Sequence, residues 1–420
     1  MNLAHRIKAL DEWLESMKQQ NGYGGPVSHW WQSCYQFVGP GLDWRYEGLL
    51  TGYARLWEKT GDPRWSSRLE VAAGHLVRGQ LATGSYVNSR FEANPGTLGT
   101  PHEAAASLGL LRASQALQRP DLVEVAAKNL DHLIEKLWDE ARSGFNDCPG
   151  VYGRVPNKLA TLAEALLLGA TVTGRAQWLD LADMALADVV RLQVQKGPLA
   201  GAVHQWAQGR LRGDGRFFPY YNARCIPALV EGARLLTNPQ YRQAAEAIGD
   251  FLEKVRNSDG SWPQLLYENG RRIEYPHWMS PLADILYAYL VLERPLPPGG
   301  LDVLLAGQLP TGGFITAEGF RRRYRPSVRL DHPDYLDVTP VVGWNDKAFR
   351  LLAELAPQDI SISHAALTSE CTLPITIGGR LGWYHESQSD MSITTHDGES
   401  VFVWTKPSDW SKAVDEVMVR

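Results

Sequence analysis

The chain has 420 residues, of which 44% are hydrophobic, and its formal net charge is −5. A chain of this length can bury a large core. It is near the upper size limit for one structural unit, a limit that is easier to exceed if the chain is built of repeats that close into a ring. The acidic balance argues against a nucleic-acid partner, because such proteins usually concentrate a basic stripe on one face. The one basic cluster, Arg321–Arg325, is more typical of a solvated loop edge.

Signals for targeting, membrane insertion and metal binding are missing as well. Residues 1–20 form an amphipathic pattern that contains acids, and no apolar run is long enough to cross a bilayer. Cys34, Cys148, Cys225 and Cys371 lie far apart without CxxC spacing, which predicts free thiols. We therefore expect a cytoplasmic protein with no membrane partner and no metal or other cofactor.

The stretch 41–80 predicts a helical hairpin. Its two helical patterns are joined by Thr60-Gly61-Asp62-Pro63, with Gly where a helix ends and Pro where the next begins. The first pattern is apolar almost all round, and the second is striped with charges. The first helix should therefore be buried, with the second as its outer cover.

The same unit recurs along the chain. Apolar helices open near Asp43, His102, Asn157, Tyr220, His277 and Pro340, a period of roughly sixty residues. Outer helices end in related phrases such as GQLATGSY at 79–86 and GQLPTGGF at 307–314, whereas the copy at 192–203 is degraded. With an initial outer helix at about 3–18, six outer helices alternate with six inner ones. This pattern predicts a mainly α fold, an (α/α)6 toroid over residues 1–356.

The organisation changes in residues 357–420. From 360 to 404 the sequence alternates or is rich in β-branched residues, and Asp397-Gly398 is a hairpin signal. A segment this small does not form a stable domain alone. We expect a short β-rich segment of antiparallel strands that packs on the toroid and covers one of its openings.

The long connections all precede inner helices, so they should meet at one end of the ring, where function is expected. The inner helices also begin with polar residues, although they are otherwise apolar. A capping or edge role explains each of these residues singly, but a ring lumen that was only core would hold aliphatic side chains. The candidate catalytic residues are Asp43, Glu47, Glu103, Asp284, His102 and His277. The candidate substrate-binding residues are Trp30, Trp31, Trp44, Arg45, Lys158, Tyr220, Tyr221, Asn222, Arg224, Trp278, Trp344 and Lys347.

The mixture of flat aromatic rings with carboxylates, amides and guanidinium groups is the one by which proteins hold sugars. The six-fold repeat with these helix starts resembles the (α/α)6-toroid carbohydrate-active enzymes: six-hairpin glycosidases, N-acylglucosamine 2-epimerase-like proteins and toroid polysaccharide lyases. The phrases Asn257–Trp262 and Gly307–Phe314 also resemble the repeat ends of terpene cyclase and prenyltransferase toroids. The resemblance to the carbohydrate-active enzymes covers residues 1–356 and implies a small-molecule or oligosaccharide substrate.

The candidate residues and the resemblance leave three functions open. The sequence favours a glycoside hydrolase, with two carboxyl groups drawn from Asp43, Glu47, Glu103, Asp284 and Asp346. A sugar epimerase or polysaccharide lyase would instead use His102, His277 or Tyr221 as base, with Arg224 or Asn222 stabilising the developing charge. A terpene cyclase-like toroid or a non-catalytic glycan-binding protein is the third. Converging helix N-termini and Arg224 predict a preference for an acidic sugar.

Overall fold

The computed structural model describes residues 2–29, 34–38, 41–87, 100–208, 212–320, 332–367 and 369–406. Over these ranges six outer helices alternate with six inner ones, which confirms the toroid. The outer helices are α1 (Leu3–Ser16), α3 (Pro63–Gly79), α5 (Pro120–Leu137), α7 (Gln177–Arg191), α10 (Pro239–Val255) and α12 (Gly300–Ala306). The inner helices are α2 (Arg45–Thr60), α4 (Ala104–Leu117), α6 (Pro156–Thr173), α8 (Pro219–Ala223) continued by α9 (Ile226–Leu235), α11 (Leu282–Val291) and α14 (Val342–Leu355).

Local sequence sets where these helices begin and end. Gly61 ends α2 in the left-handed conformation (φ 63°), and the Asp62 side chain accepts the Arg64 N–H to cap α3. The fourth inner helix is broken at Arg224 and Cys225, because Pro227 lacks an N–H and its ring crowds the preceding turn. A short helix, α13 (Tyr335–Val338), precedes α14, and 3-10 turns occupy Pro101–Glu103 and Glu140–Arg142.

The outer helices are joined by a repeated glutamine contact. In three hairpins a Gln after the outer helix donates from Nε2 to a glycine carbonyl of its own loop and to a carbonyl of the next outer helix. The three sets are Gln80 with Gly84 and Val125, Gln193 with Gly201 and Ala244, and Gln308 with Gly312 and Arg6. The copy at 192–203, which looked degraded, therefore makes the same contact across a longer insertion. The Gln308 contact joins the last outer helix to the first.

The inner ring closes as well. Gly48 and Gly52 of α2 lie against α14, where a Cβ added to Gly48 would be 2.3 Å from the Asp346 carbonyl oxygen. Lys59, at the end of α2, donates to the carbonyls of Ala353, Glu354 and Ala356. Because first and last helices are in contact, the ring is closed and not an open solenoid.

Short strands occupy the long loops. They are β1 (Lys18–Gln19), β2 (Gly22–Tyr23), β3 (Gly25–His29), β4 (Cys34–Val38), β5 (Trp138–Asp139), β6 (Gly144–Phe145), β7 (Gly153–Arg154), β8 (Ala207–Gln208), β9 (Arg212–Gly213), β10 (Arg216–Phe217), β11 (Leu265–Tyr267), β12 (Arg272–Ile273), β13 (His277–Trp278) and β14 (Ala317–Glu318). Pairing is antiparallel, as β1-β2, β3-β4, β5-β6, β7-β8-β9, β10-β11-β12 and β13-β14. Thus His277, expected at a helix start, lies in a strand, and the fifth inner helix begins only at Leu282.

The C-terminal segment is a four-stranded antiparallel meander of β15 (Cys371–Ile377), β16 (Arg380–Glu386), β17 (Asp390–Thr395) and β18 (Ser400–Thr405). Gly398, at φ 86°, turns the last hairpin where Asp397-Gly398 predicts it. The buried Glu386 carboxylate accepts from Trp13 of α1 (2.8 Å), Thr311 (2.7 Å), Tyr384 (2.9 Å) and Lys406 (2.6 Å). These bonds hold the sheet against α1 and the loop that follows α12. No helix in the described part of the chain has the length and apolarity needed to span a membrane.

Candidate ligand-binding cavity at the long-loop end

A cavity of about 1030 Å³, counted out to its open mouth, lies at the end of the ring where the long loops meet. All six inner-helix starts contribute to its wall. The contributing residues are Trp44, His102, Asn157, Lys158, Tyr220, Tyr221, Arg224, Trp278, Leu282 and Trp344. Loop residues complete the wall: Gln205, Phe218, Trp262, Pro263 and Gln264.

Aromatic rings form two parts of this wall. Trp344 lies between Trp278 and Trp44, with ring centroids 5.0 and 6.5 Å away, and the His102 ring is 6.0 Å from Trp44. Tyr220 and Tyr221 form a second group, with ring centroids 4.9 Å apart. Flat apolar faces next to polar groups suit the C–H face and hydroxyls of a sugar ring.

Behind the aromatic wall lies a buried cluster of charges centred on Glu47. Arg224 binds both Glu47 oxygens at 2.9 Å, Lys347 donates at 3.0 Å and Arg350 at 2.6 Å. Burial alone would raise the pKa of Glu47, but these three cations together hold it well below its ordinary value. Glu47 is therefore an ionised anchor for the cations around it.

Two further carboxylates complete the charged cluster. Arg350 also donates to Asp284, whose carboxylate lies 3.7 Å from Arg224, and Lys347 donates to Asp346 at 2.8 Å. Burial raises the pKa of Asp346 to about 7, although Lys347 opposes the shift. Arg350 was not among the sequence candidates. Like Asp284, however, it is a charged residue inside an otherwise apolar helix. Of the whole cluster, Arg224 alone lines the cavity.

His102 is a neutral imidazole in the cavity wall. Burial lowers its pKa well below the ordinary value, and the nearby cations Arg224, Lys347 and Lys158 lower it further, against the opposing effect of Glu47. A histidine that is unprotonated at neutral pH can accept a proton from a ligand.

Several predicted site residues lie elsewhere. Asp43 and Arg45 form a buried ion pair with each other (2.8 Å), and Arg45 also donates to the Tyr23 carbonyl, so both are structural. The Asn222 amide is fully used by Val203 and Phe218 backbone groups. His277 packs on Tyr275 and lies 3.4 Å from Glu274, and Glu103 is buried. In the described part of the chain, none of these five residues lines the cavity. Trp30 and Trp31 fall outside the residues that the structure describes.

In the part of the chain that the structure describes, the cations at or behind the cavity wall are already paired. Besides Arg224 and Lys347, Lys158 donates to Asp147 at 2.7 Å. Loop residues that sequence reasoning missed, Gln205, Trp262 and Gln264, reach the cavity because short strands in the long loops bring them there. Across the described ranges, no three His, Cys, Asp or Glu side chains come together as a metal site.

No protein-family model matches the chain, and no curated protein matches it in sequence. Solved structures do match. A D-mannose isomerase has a TM-score of 0.63 at 12% identity, covering 84% of this chain and 97% of that one. A cellobiose 2-epimerase from Bacillus thermoamylovorans has a TM-score of 0.64 at 10% identity, covering 84% and 99%. An unsaturated glucuronyl hydrolase specific for heparin has a TM-score of 0.60 at 12% identity, covering 84% and 97%. At these identities the likeness concerns the fold, and the chain therefore shares the (α/α)6 toroid fold of these three structures.

Proposed function

We propose that this protein is a carbohydrate-active enzyme that transfers protons on a sugar, in the class of epimerases and isomerases. One observation carries the proposal: the described wall of the cavity holds a neutral histidine, His102, and no Asp or Glu. Similar folds include a D-mannose isomerase and a cellobiose 2-epimerase but also a glucuronyl hydrolase. Because the same fold serves both isomerases or epimerases and hydrolases, the choice between these reactions has to be argued from the residues that line the cavity.

The hydrolase that the sequence favoured needs two carboxyl groups that reach the scissile bond from opposite sides. Glu47, Asp284 and Asp346 belong instead to the charged cluster behind the wall, and Asp43 is bound to Arg45. Glu47, which three cations hold, is a poor proton donor, as its lowered pKa shows. The raised pKa of Asp346 would suit a general acid, but Asp346 is fully buried and does not line the cavity. This arrangement supports proton transfer by His102 over hydrolysis by paired carboxylates.

In the proposed reaction His102 takes a proton from the carbon next to the carbonyl of an open-chain sugar. The C–H electron pair forms a carbon–carbon double bond, and the carbonyl π electrons move onto oxygen to give an enediolate. Arg224 stays positively charged in the cavity wall while its terminal nitrogens bind Glu47, so it would stabilise that oxygen through its charge and without forming a new ion pair. Return of a proton to the opposite face of the same carbon gives the epimer. Return to the neighbouring carbon, with a proton passing from the oxygen on the first carbon to the former carbonyl oxygen, gives the ketose. The hydroxyls of Tyr220 and Tyr221, in the same cavity, are our candidates for the second proton carrier.

The test is deuterium exchange. D-glucose, D-mannose and cellobiose are incubated with the protein in D2O, and the C2–H signal is followed by proton NMR. We expect wild-type protein to replace C2–H with deuterium and His102→Asn to lose at least about 100-fold in rate. His277→Asn is the matched control, because His277 is a buried histidine that does not line the cavity, and it should keep the exchange. Glycosidic cleavage of oligosaccharides without deuterium incorporation would overturn the proposal.

The pH profile gives a second readout of the same residue. His102 acts as a base only when unprotonated, and its pKa is lowered well below the ordinary value by burial and neighbouring cations. Exchange should therefore stay constant as the pH falls from 8 through about 6.5, where an ordinary histidine would already be half protonated. A rate that halves near pH 6.5 would show that another group is the base.

A further inference from the structure

Three amide side chains in the cavity wall have polar atoms without a hydrogen-bond partner. Gln264 is only 2% exposed, yet neither its Nε2 nor its Oε1 has a partner. Asn157, 8% exposed, has an unpartnered Oδ1, and Gln205 has an unpartnered Oε1. All three line the same cavity, although they come from three separate parts of the chain.

Unpartnered buried amides are rare in folded proteins, because each loses its bonds to water without replacing them. This chain satisfies comparable amides elsewhere. The Nε2 groups of Gln80, Gln193 and Gln308 each donate to two carbonyls, and Gln308 Oε1 also accepts from Arg6. Among the described residues four side-chain amides have a buried atom without a partner, and three of the four line the cavity, Gln19 being the exception. This concentration indicates that a ligand supplies the missing partners.

The free atoms also specify the partner's chemistry. Three of the four are amide oxygens, which accept hydrogen bonds and therefore require donors. A sugar hydroxyl donates and accepts, whereas an ionised carboxylate only accepts. Both ends of the Gln264 amide are free, so it can accept from one hydroxyl and donate to another.

The charges around the cavity favour the same kind of ligand. In the charged cluster each of the three cations, Arg224, Lys347 and Arg350, already binds the Glu47 carboxylate, and Asp284 and Asp346 add further contacts. Lys347 uses its ammonium group on Glu47, Asp346 and the Trp44 carbonyl. An added carboxylate would have to displace one of these partners.

We infer that Gln264, Asn157 and Gln205 form a hydroxyl-binding subsite that selects an uncharged sugar over an acidic one. The inference rests on the proposed function in taking the ligand to be a sugar, and it names the substrate class of that site. It also reverses the preference for acidic sugars that the sequence predicts, because that expectation requires a cation free to bind a carboxylate.

Calorimetry with matched pairs tests the inference. D-Glucose is compared with D-glucuronate, and D-mannose with D-mannuronate, with cellobiose as a larger neutral probe. We expect each neutral sugar to bind at least about 10-fold more tightly than its acid, because the acid brings a charge to a site whose described cations are all paired. Gln264→Leu keeps the approximate volume and removes both polar atoms, and it should weaken neutral-sugar binding about 10-fold or more.

Gln308→Leu is the control, since it removes an equivalent amide from an outer-helix joint and should leave the dissociation constants unchanged in folded protein. Tighter binding of the acids, no binding of any neutral sugar, or undiminished binding by folded Gln264→Leu would each overturn the inference. Calorimetry is repeated with protein that carries His102→Asn, in which we expect no turnover, so the two proposals fail separately. Gln264-dependent binding of neutral sugars without deuterium exchange removes only the proton-transfer reaction. Exchange confined to uronates removes only the neutral subsite.

Discussion

Gln308 and Gln264 are two glutamines in loops at the same end of the ring, and they differ in what surrounds their amides. Gln308 joins α12 to α1, with Nε2 bonded to the Gly312 and Arg6 carbonyls and Oε1 bonded to the Arg6 guanidinium. Gln264 is more deeply buried and has no partner at either atom. Among side-chain amides, therefore, a missing hydrogen bond marks the cavity better than charge does, since the charged residues expected there are largely paired.

The largest effect should come from the charged cluster. Glu47→Gln keeps the shape of the side chain but leaves Arg224, Lys347 and Arg350 without their common carboxylate. We expect the free energy of unfolding to fall by about 3–5 kcal/mol, the usual cost of breaking a buried ion pair. Urea denaturation measures it. The control is Glu354→Gln, whose pair with the partly exposed Arg55 should be worth about 0–1 kcal/mol. Equal losses in the two variants would show that Glu47 is not an anchor.

The glutamine comparison can be tested directly with the same substitution at both sites. Gln308→Leu removes the bonds from Nε2 to the Arg6 and Gly312 carbonyls and the bond from Arg6 to Oε1, so stability should fall by roughly 2–4 kcal/mol. Gln264→Leu removes an amide with no partner, so stability should stay within about 1 kcal/mol or rise. Thermal unfolding of both variants measures the contrast. A comparable loss at Gln264 would mean that its amide is bonded within the folded chain.

A smaller effect is expected from the glycine of the same outer-helix joint. Gly312 has φ 104°, and a Cβ there would lie 2.0 Å from the Ala9 carbonyl oxygen of α1. Gly270 has φ 84° with nothing within 4 Å, so it carries the backbone cost alone. We expect Gly270→Ala to cost about 1 kcal/mol and Gly312→Ala about 2 kcal/mol or more. Equal melting temperatures would show that α1 moves aside freely.

Much of the fold could be predicted because it depends on local signals. Gly61 and Pro63 mark a helix end and a helix start wherever the rest of the chain lies, and the six-fold repeat predicts the ring. Prediction of helix bounds fails where the tertiary path of the chain overrides the repeat pattern. Pro227 breaks the fourth inner helix, and His277 pairs with Glu318 in a strand. The Gln193 contact was missed because an insertion separates Gln193 from Gly201.

The cavity was harder to predict, since its chemistry depends on partners that are distant in sequence. The repeat makes the starts of the inner helices visible, and the residues at or within a few positions of those starts reach the cavity: Trp44, His102, Tyr220, Tyr221, Arg224, Trp278 and Trp344. That Arg224 is bound by Glu47, 177 residues away, is not visible in any local pattern. Gln264 carries no sequence signal at all, because an amide in a loop is ordinary until the structure shows that it is buried and unpartnered.

The contact between Gln308 and Arg6 has a consequence for how the chain is made. The two residues are 302 positions apart, and Gly48 and Asp346 on the inner ring are 298 apart. Ribosomes add about 5–20 residues per second, so α1 and α2 emerge roughly 15–60 s before the helices that cover them. During that interval the apolar flanks of the first hairpin lack their final neighbours, and the ring cannot be sealed. This protein is therefore most exposed to aggregation, and most dependent on chaperones, while its amino-terminal half has been synthesised and the helices that cover it have not.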